Sequence, residues 1–215
     1  GQKLSLGVQV TGRGYQSYNF SFTEPWLRGR PTSLGVSLSY DLLNFNTTGG
    51  SFFNTQTTSA RERNELFSGS VSIGRRLDWP DDFFQQRSIL TFNRYNVDGI
   101  NQFFDEGQAN LLTLRQVIER NSTNNPISPS TGSKFDISAE VALPLPGFSQ
   151  FYKVKTGYQH HTTIIDKLVL SSTVDYGYMG YFSDSNRSNF QRFFLGGTEL
   201  QQRQNFTNDN INMRG

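Results

Sequence analysis

The chain has no cysteine, which excludes disulfides and thiolate metal sites and suits a cell-envelope protein that passes through an oxidising compartment. It has no run of about 18 apolar residues, so no helix of it can span a bilayer, and no signal peptide opens it. Charge of one sign is not in excess either. There are 20 basic and 18 acidic residues, a formal net charge of +2, which leaves no basic stripe of the kind that binds nucleic acid. Core-filling aliphatics are scarce: 34% of residues are hydrophobic and the mean hydropathy is -0.54. A chain of 215 residues is long enough for one or two soluble domains, but this composition argues against them. What is abundant is aromatic, with 19 Phe and 9 Tyr. Disorder depletes aromatics, so it is excluded over most of the chain.

The hydrophobic period is two. Leu4, Leu6, Val8 and Val10 alternate with Ser5, Gly7, Gln9 and Thr11, and Tyr18, Phe20 and Phe22 with Ser17, Asn19, Ser21 and Thr23. Leu34, Val36, Leu38 and Tyr40 follow the same rule, as do Phe67 to Gly74, Phe135 to Leu143 and Leu168 to Tyr178. Three noisier segments, Ser88–Val97, Asn110–Arg120 and Gln150–His160, carry Asn93, Arg115, Lys153 and Lys155 on their polar face. Asn110–Arg120 also fits a helical spacing through Leu111, Leu114, Val117 and Ile118; its neighbours make it a strand. The sequence therefore predicts nine strands, most of about 8 to 11 residues, longer than those of soluble sheets and matched to a bilayer. Their non-apolar face is mainly Ser, Thr, Gly, Asn and Gln, as in a wet lumen. The fold class read from this is all-β, a transmembrane antiparallel β-barrel. A soluble sandwich is the rival.

Connections alternate in length. Glu24–Arg30, Asp78–Asp82, Asn125–Ser133 and Thr162–Lys167 are short and read as periplasmic turns. Leu43–Arg63, Asp98–Gln108 and the stretch from Phe182 onward read as extracellular loops. Trp26 and Trp79, the two tryptophans, both fall in the short class, which places them in one interfacial girdle. Nine is an odd number, whereas bacterial barrels close with an even one, and an open edge cannot face lipid. The chain is therefore expected to be a piece of a longer barrel.

Several segments resemble one family. Tyr18–Leu27, with Glu24-Pro25-Trp26 at its turn, is similar to the strand, acidic-Pro-aromatic turn and strand of BamA proteins, the central subunit of the outer-membrane β-barrel assembly machine. Gly74–Phe84, containing Trp79-Pro80-Asp81-Asp82, resembles a turn common in the Bacteroidetes branch of that family. Pro126–Phe135 resembles the family's periplasmic turn, and Leu145-Pro146-Gly147 the loop that follows it. Phe193–Gly197, with Gly196-Gly197, and Met213-Arg214-Gly215 look like the motif of the sixth extracellular loop. The matches run in family order along the whole chain.

The resemblance implies that residues 1–215 are strands three to eleven of a sixteen-stranded barrel plus part of loop six, the periplasmic POTRA domains lying outside this chain. It implies an outer-membrane insertase that works without covalent chemistry, cofactor or metal. Its partners would be outer-membrane lipids, unfolded outer-membrane proteins, accessory lipoproteins and other subunits of the machine, and no nucleic acid. Loop six would fold into the lumen, where Arg214 would pair with acidic residues of a later strand. Between Gly197 and Arg214 lies a stretch rich in Gln and Asn that is longer than in many relatives. The rivals are a secretion or TamA-like translocation barrel and, from another class, a porin or TonB-dependent receptor.

Other candidate sites are weaker. Gly196-Gly197 lacks the strand-to-helix context of a phosphate loop. His160 and His161, adjacent on a strand, point to opposite faces and cannot easily chelate one ion. Asp81-Asp82 has no third ligand at metal spacing. Glu140, Lys153, Lys155 and Asp175 fall on the polar face, where lumen packing accounts for them, and no catalytic triad is visible.

Overall fold

The computed structural model describes residues 1–12, 14–47, 60–98, 107–165, 168–182, 194–195 and 210–211. Among them nine strands form one sheet in chain order, each antiparallel to the next. They are β1 (Lys3–Thr11), β2 (Tyr15–Glu24), β3 (Thr32–Thr47), β4 (Ala60–Arg76), β5 (Phe84–Asp98), β6 (Gly107–Asn121), β7 (Gly132–Ala142), β8 (Tyr152–Ile165) and β9 (Leu168–Gly180). Asn110–Arg120 lies within a strand, so the helical alternative falls. Two short segments, β10 (Phe194–Leu195) and β11 (Asn210–Ile211), pair in parallel apart from the sheet.

The register turns local alternation into continuous rows. Leu4, Phe22, Val36, Val71, Leu90, Leu114 and Val141 are cross-strand partners in succession from β1 to β7. One residue along, Ser5, Ser21, Ser37, Ser70, Thr91, Thr113 and Ala142 form the parallel row on the other face. A one-residue slip anywhere would invert both rows, so the pattern specifies the pairing strongly. The apolar face stays largely exposed, Leu6 being 74% accessible and Val174 63%, with Leu42 as its buried side chain among the described residues. Ser17, Asn64, Leu66, Tyr95, Leu111, Thr113, Ser138 and Lys153 are buried, and all lie on the opposite face. A sandwich would press its apolar face against a second sheet. Here most of that face is exposed among the described residues, and a patch of this extent is far beyond what a soluble monomer exposes.

Strand lengths run from 9 residues in β1 to 17 in β4. With a rise of about 3.3 Å and a tilt of about 40°, these heights are about 23 and 43 Å. The shortest strand thus matches the apolar band, and β3 to β6 rise past it at the end where the long loops lie. Consequently the ladder between β3 and β4 continues to Thr47 and Ala60, inside the stretch Leu43–Arg63 that the sequence predicted to be loop. β5 runs through Asp98 and β6 begins at Gly107, so both reach the ends of the predicted loop Asp98–Gln108, and β8 extends through Ile165 into the predicted turn Thr162–Lys167. Apolar alternation is not required where a strand leaves lipid, which is why the pattern faded before the strands ended.

The inward face departs from the prediction at the loop end. Leu66, Tyr95, Val97, Leu111, Ala142 and Phe151 form a buried apolar cluster, with Leu43, Ala109, Met179 and Tyr181 packed against it. Its cause is the connection after β7. Pro144 and Pro146 cannot donate to a ladder, so the regular strand ends at Ala142 and the connection continues along the edge of β6. There Leu143 N–H donates to the Leu112 carbonyl (2.8 Å) and Ser149 N–H to the Asn110 carbonyl (3.2 Å). The connection returns to Ala142, whose N–H donates to the Phe151 carbonyl (2.9 Å), and Phe151 is fully buried. Polar side chains, small ones together with charged ones such as Arg115, Glu119, Lys134 and Glu140, line most of the rest of the wall, and near the loops the lumen is apolar.

Candidate functional site

Two of the motif turns lie at the same end of the sheet and are held by their acidic residues. In the turn after β2, Glu24 Oε1 accepts the Trp26 N–H (3.0 Å) and Oε2 accepts Gln2 Nε2 (2.7 Å). Both bonds favour the charged carboxylate. Pro25 precedes the tryptophan, and the reversal itself is made by Arg28 (φ 54°) and Gly29 (φ 74°) in left-handed conformation.

In the turn between β4 and β5, Asp81 Oδ1 accepts the Phe83 N–H (3.0 Å). Its Oδ2 lies 2.9 Å from Arg120 Nε, so Asp81 is engaged in holding the turn. The Arg120 guanidinium also sits 5.6 Å from the Phe83 ring and 5.9 Å from the Phe84 ring, and Nη1 donates to Ser122 Oγ (3.0 Å). The Asp82 carbonyl accepts Arg76 Nε (2.5 Å). This cluster ties three connected pieces together: the turn holding Trp79-Pro80-Asp81-Asp82, the end of β6 and the turn that follows. Trp26 and Trp79 are both exposed at this end. Arg120 was missed in the sequence, since nothing local marks a partner of Asp81 on a strand 39 residues away.

At the opposite end the outward face carries a belt of aromatics that the sequence also left unassigned. Tyr18 and Tyr40 have ring centroids 6.4 Å apart, Phe67 and Phe92 6.4 Å, and Phe92 and Phe148 6.3 Å. Tyr152 continues the belt against Tyr178 (6.1 Å) and Phe182 (5.3 Å). Tyr18, Tyr40 and Phe67 share one cross-strand row; Phe92 and Tyr152 lie on rows progressively nearer the turn end. Such a stagger is what strands tilted to the barrel axis require of residues at one height. The signal was present in the sequence as aromatics near the loop ends of outward-facing phases.

The remaining candidates separate as their alternation dictates. His160 stacks on Tyr158 on the outer face (6.4 Å, 7° between planes), while His161 faces inward with Nδ1 2.9 Å from Ser171 Oγ. Among the described residues no carboxylate is hydrogen-bonded to His161. On the inner wall Glu140 stands opposite both Arg115 and Lys153, and Lys134 Nζ pairs with Glu119 at 3.4 Å. Lys155 and Asp175 face glycines, Gly177 and Gly157, across their strand pairs. Gly196, Gly197, Arg214 and Gly215 lie outside the described residues.

A lipid-compatible apolar face, a polar inner wall and staggered antiparallel strands define the wall of a transmembrane β-barrel, the bacterial outer-membrane architecture. The model of the Omp85 superfamily domain matches residues 1–206. The chain belongs to the Omp85 superfamily. Among solved structures, BamA from Haemophilus ducreyi lacking POTRA domains 1-3 is similar with a TM-score of 0.67 at 18% identity, over 88% of this chain and 37% of that one. At that identity the likeness shows a common barrel fold, in which the present chain spans little more than a third of the compared protein. No curated protein matches the chain. The resemblance carried by the turn motifs thus holds for superfamily and fold.

Proposed function

We propose that the chain is part of the membrane domain of an outer-membrane insertase that folds and inserts β-barrel proteins without covalent chemistry, nucleotide or metal. The observation that carries this is the Omp85 match over residues 1–206, on a sheet whose outward face is apolar through every strand pair. In this reading residues 1–215 supply the rigid wall and the lumen, and strands outside them form a seam. There, exposed edge hydrogen-bonding groups are costly in lipid, so an incoming substrate strand adds to the edge readily. The short-turn end faces the periplasm, with Trp26 and Trp79 at the membrane interface. The long-loop end faces outward, toward any accessory lipoproteins that cover the loops. Loop six, with Gly196, Gly197, Arg214 and Gly215, folds back into the barrel, and Arg214 forks onto carboxylates of a strand beyond this chain.

The test is reconstitution of the full-length protein in vesicles, followed by the rate at which an unfolded barrel protein becomes protease-resistant. Wild-type protein should accelerate insertion, and Arg214→Ala should slow it while leaving the barrel folded. Full activity of the variant would remove the loop-six role. Export of a passenger without any accelerated insertion would reassign the chain to a secretion barrel of the same superfamily.

A further inference from the structure

We propose that the outer face of β1 to β5, toward the loop end, holds one phosphorylated glycolipid of the surrounding leaflet, an inference that rests on the outer-membrane orientation proposed above. Two adjoining grooves of about 380 Å³ each share Tyr40 and Phe67. The lower one is apolar, walled by Leu6, Val8, Phe20 and Leu38. Beside it Gly69 leaves a notch: a Cβ there would lie only 3.2 Å from Leu38 Cδ2. Its shape and greasiness suit an acyl chain.

The upper groove is different in kind. Glu65, Phe92, Arg94 and Asn96 join the two shared aromatics. Glu65 is already satisfied: it accepts from Tyr40 Oη (3.3 Å) and Asn96 Nδ2 (3.1 Å) and forms an ion pair with Arg63. The nearby Asp98 is the cross-strand neighbour of Arg63, not of Arg94. Arg94 itself, opposite Phe67 in the register, has no ion pair or hydrogen bond among the described residues. The other outward arginines of this face behave otherwise, since Arg120 pairs with Asp81 at 2.9 Å and Arg75 donates to Gln86 Oε1 at 3.1 Å. An arginine at the level of an aromatic belt needs an anion to offset its desolvation, and a guanidinium forks onto phosphate in particular. Phe67 and Phe92 offer flat apolar surfaces to a sugar ring, and Asn96 and Glu65 offer a donor and acceptors to its hydroxyls. A guanidinium for phosphate, flanked by rings and polar groups for a sugar and adjoined by an apolar groove for an acyl chain, describes a phosphorylated glycolipid.

The experiment uses delipidated full-length protein in detergent, with bound lipid counted by native mass spectrometry. Three probes are compared: a diphosphorylated disaccharide glycolipid, its dephosphorylated form and phosphatidylethanolamine. Wild type should retain one phosphorylated glycolipid in preference to the other two. Arg94→Gln should weaken that retention roughly tenfold, the loss of one charged hydrogen-bonding partner, and Asn96→Ala should weaken it less. Arg75→Gln should retain it fully. Heat-modifiable migration reports that each variant is folded. Equal retention by Arg94→Gln and wild type, or equal retention of the dephosphorylated lipid or of phosphatidylethanolamine, would overturn the site. Failure of the insertion assay with wild-type protein would sink the functional reading while leaving this lipid count standing.

Discussion

Replacing Val71 by arginine and, separately, its neighbour Ser70 by arginine places the same charge on opposite faces of β4. Val71 is four residues from Phe67 of the aromatic belt, toward the turn end. At about 3.3 Å per residue and a tilt of about 40°, that is about 10 Å below the belt, close to the middle of an apolar band about 25 Å tall. Its cross-strand partners, Val36 and Leu90, offer no counter-charge. An arginine at that depth costs about 2–4 kcal/mol, or about 30- to 1000-fold in the folding equilibrium. Ser70 faces inward and shares a hydrogen bond with Ser37 Oγ at 2.7 Å. Its loss costs about 1 kcal/mol, and the new guanidinium can reach lumen water. Equilibrium unfolding of the full-length protein in vesicles, followed by tryptophan fluorescence and heat-modifiable migration, measures both. Ser70→Arg being as destabilising as Val71→Arg, or more so, would refute the assignment of faces.

Arg120→Ala should cost about 1–2 kcal/mol, combining a partly exposed ion pair with two ring contacts. In a double-mutant cycle with Asp81→Asn, the coupling between the two should be about 0.5–1 kcal/mol by urea titration, and a coupling of zero would show that the pair does not hold the turn. Gly180→Ala should displace the Tyr152 ring, which lies against the glycine. The expected loss is about 0.5–1.5 kcal/mol as Tyr152 leaves its tilted ring contacts with Tyr178 and Phe182. If the melting temperature of that variant in detergent matches wild type, the ring is not locked there.

The sequence by itself determined which face of each strand is apolar, because side chains alternate with every residue and the environment of a face is thus written locally. Leu4 to Val10 and Phe67 to Ile73 could be read without any partner, and the Glu24-Pro25-Trp26 and Asp78–Asp82 turns interrupt the alternation where the chain reverses. Strand ends were less legible. In β3 and β4 the residues beyond Leu43 and before Arg63 lie past the lipid, where nothing selects for alternation, yet their backbones continue to pair. Only the tertiary structure decided what depends on register between distant segments: Arg120 meeting Asp81, Tyr152 covering Gly180, the aromatic belt running across strands, and Arg94 left outward with no partner among the described residues. It also decided that the lumen turns apolar near the loops, since Tyr95, Val97 and Leu111 come together with Phe151 only when the proline-broken connection runs along β6. Local chemistry fixes the direction of a side chain; the stagger of tilted strands fixes which other side chain it meets.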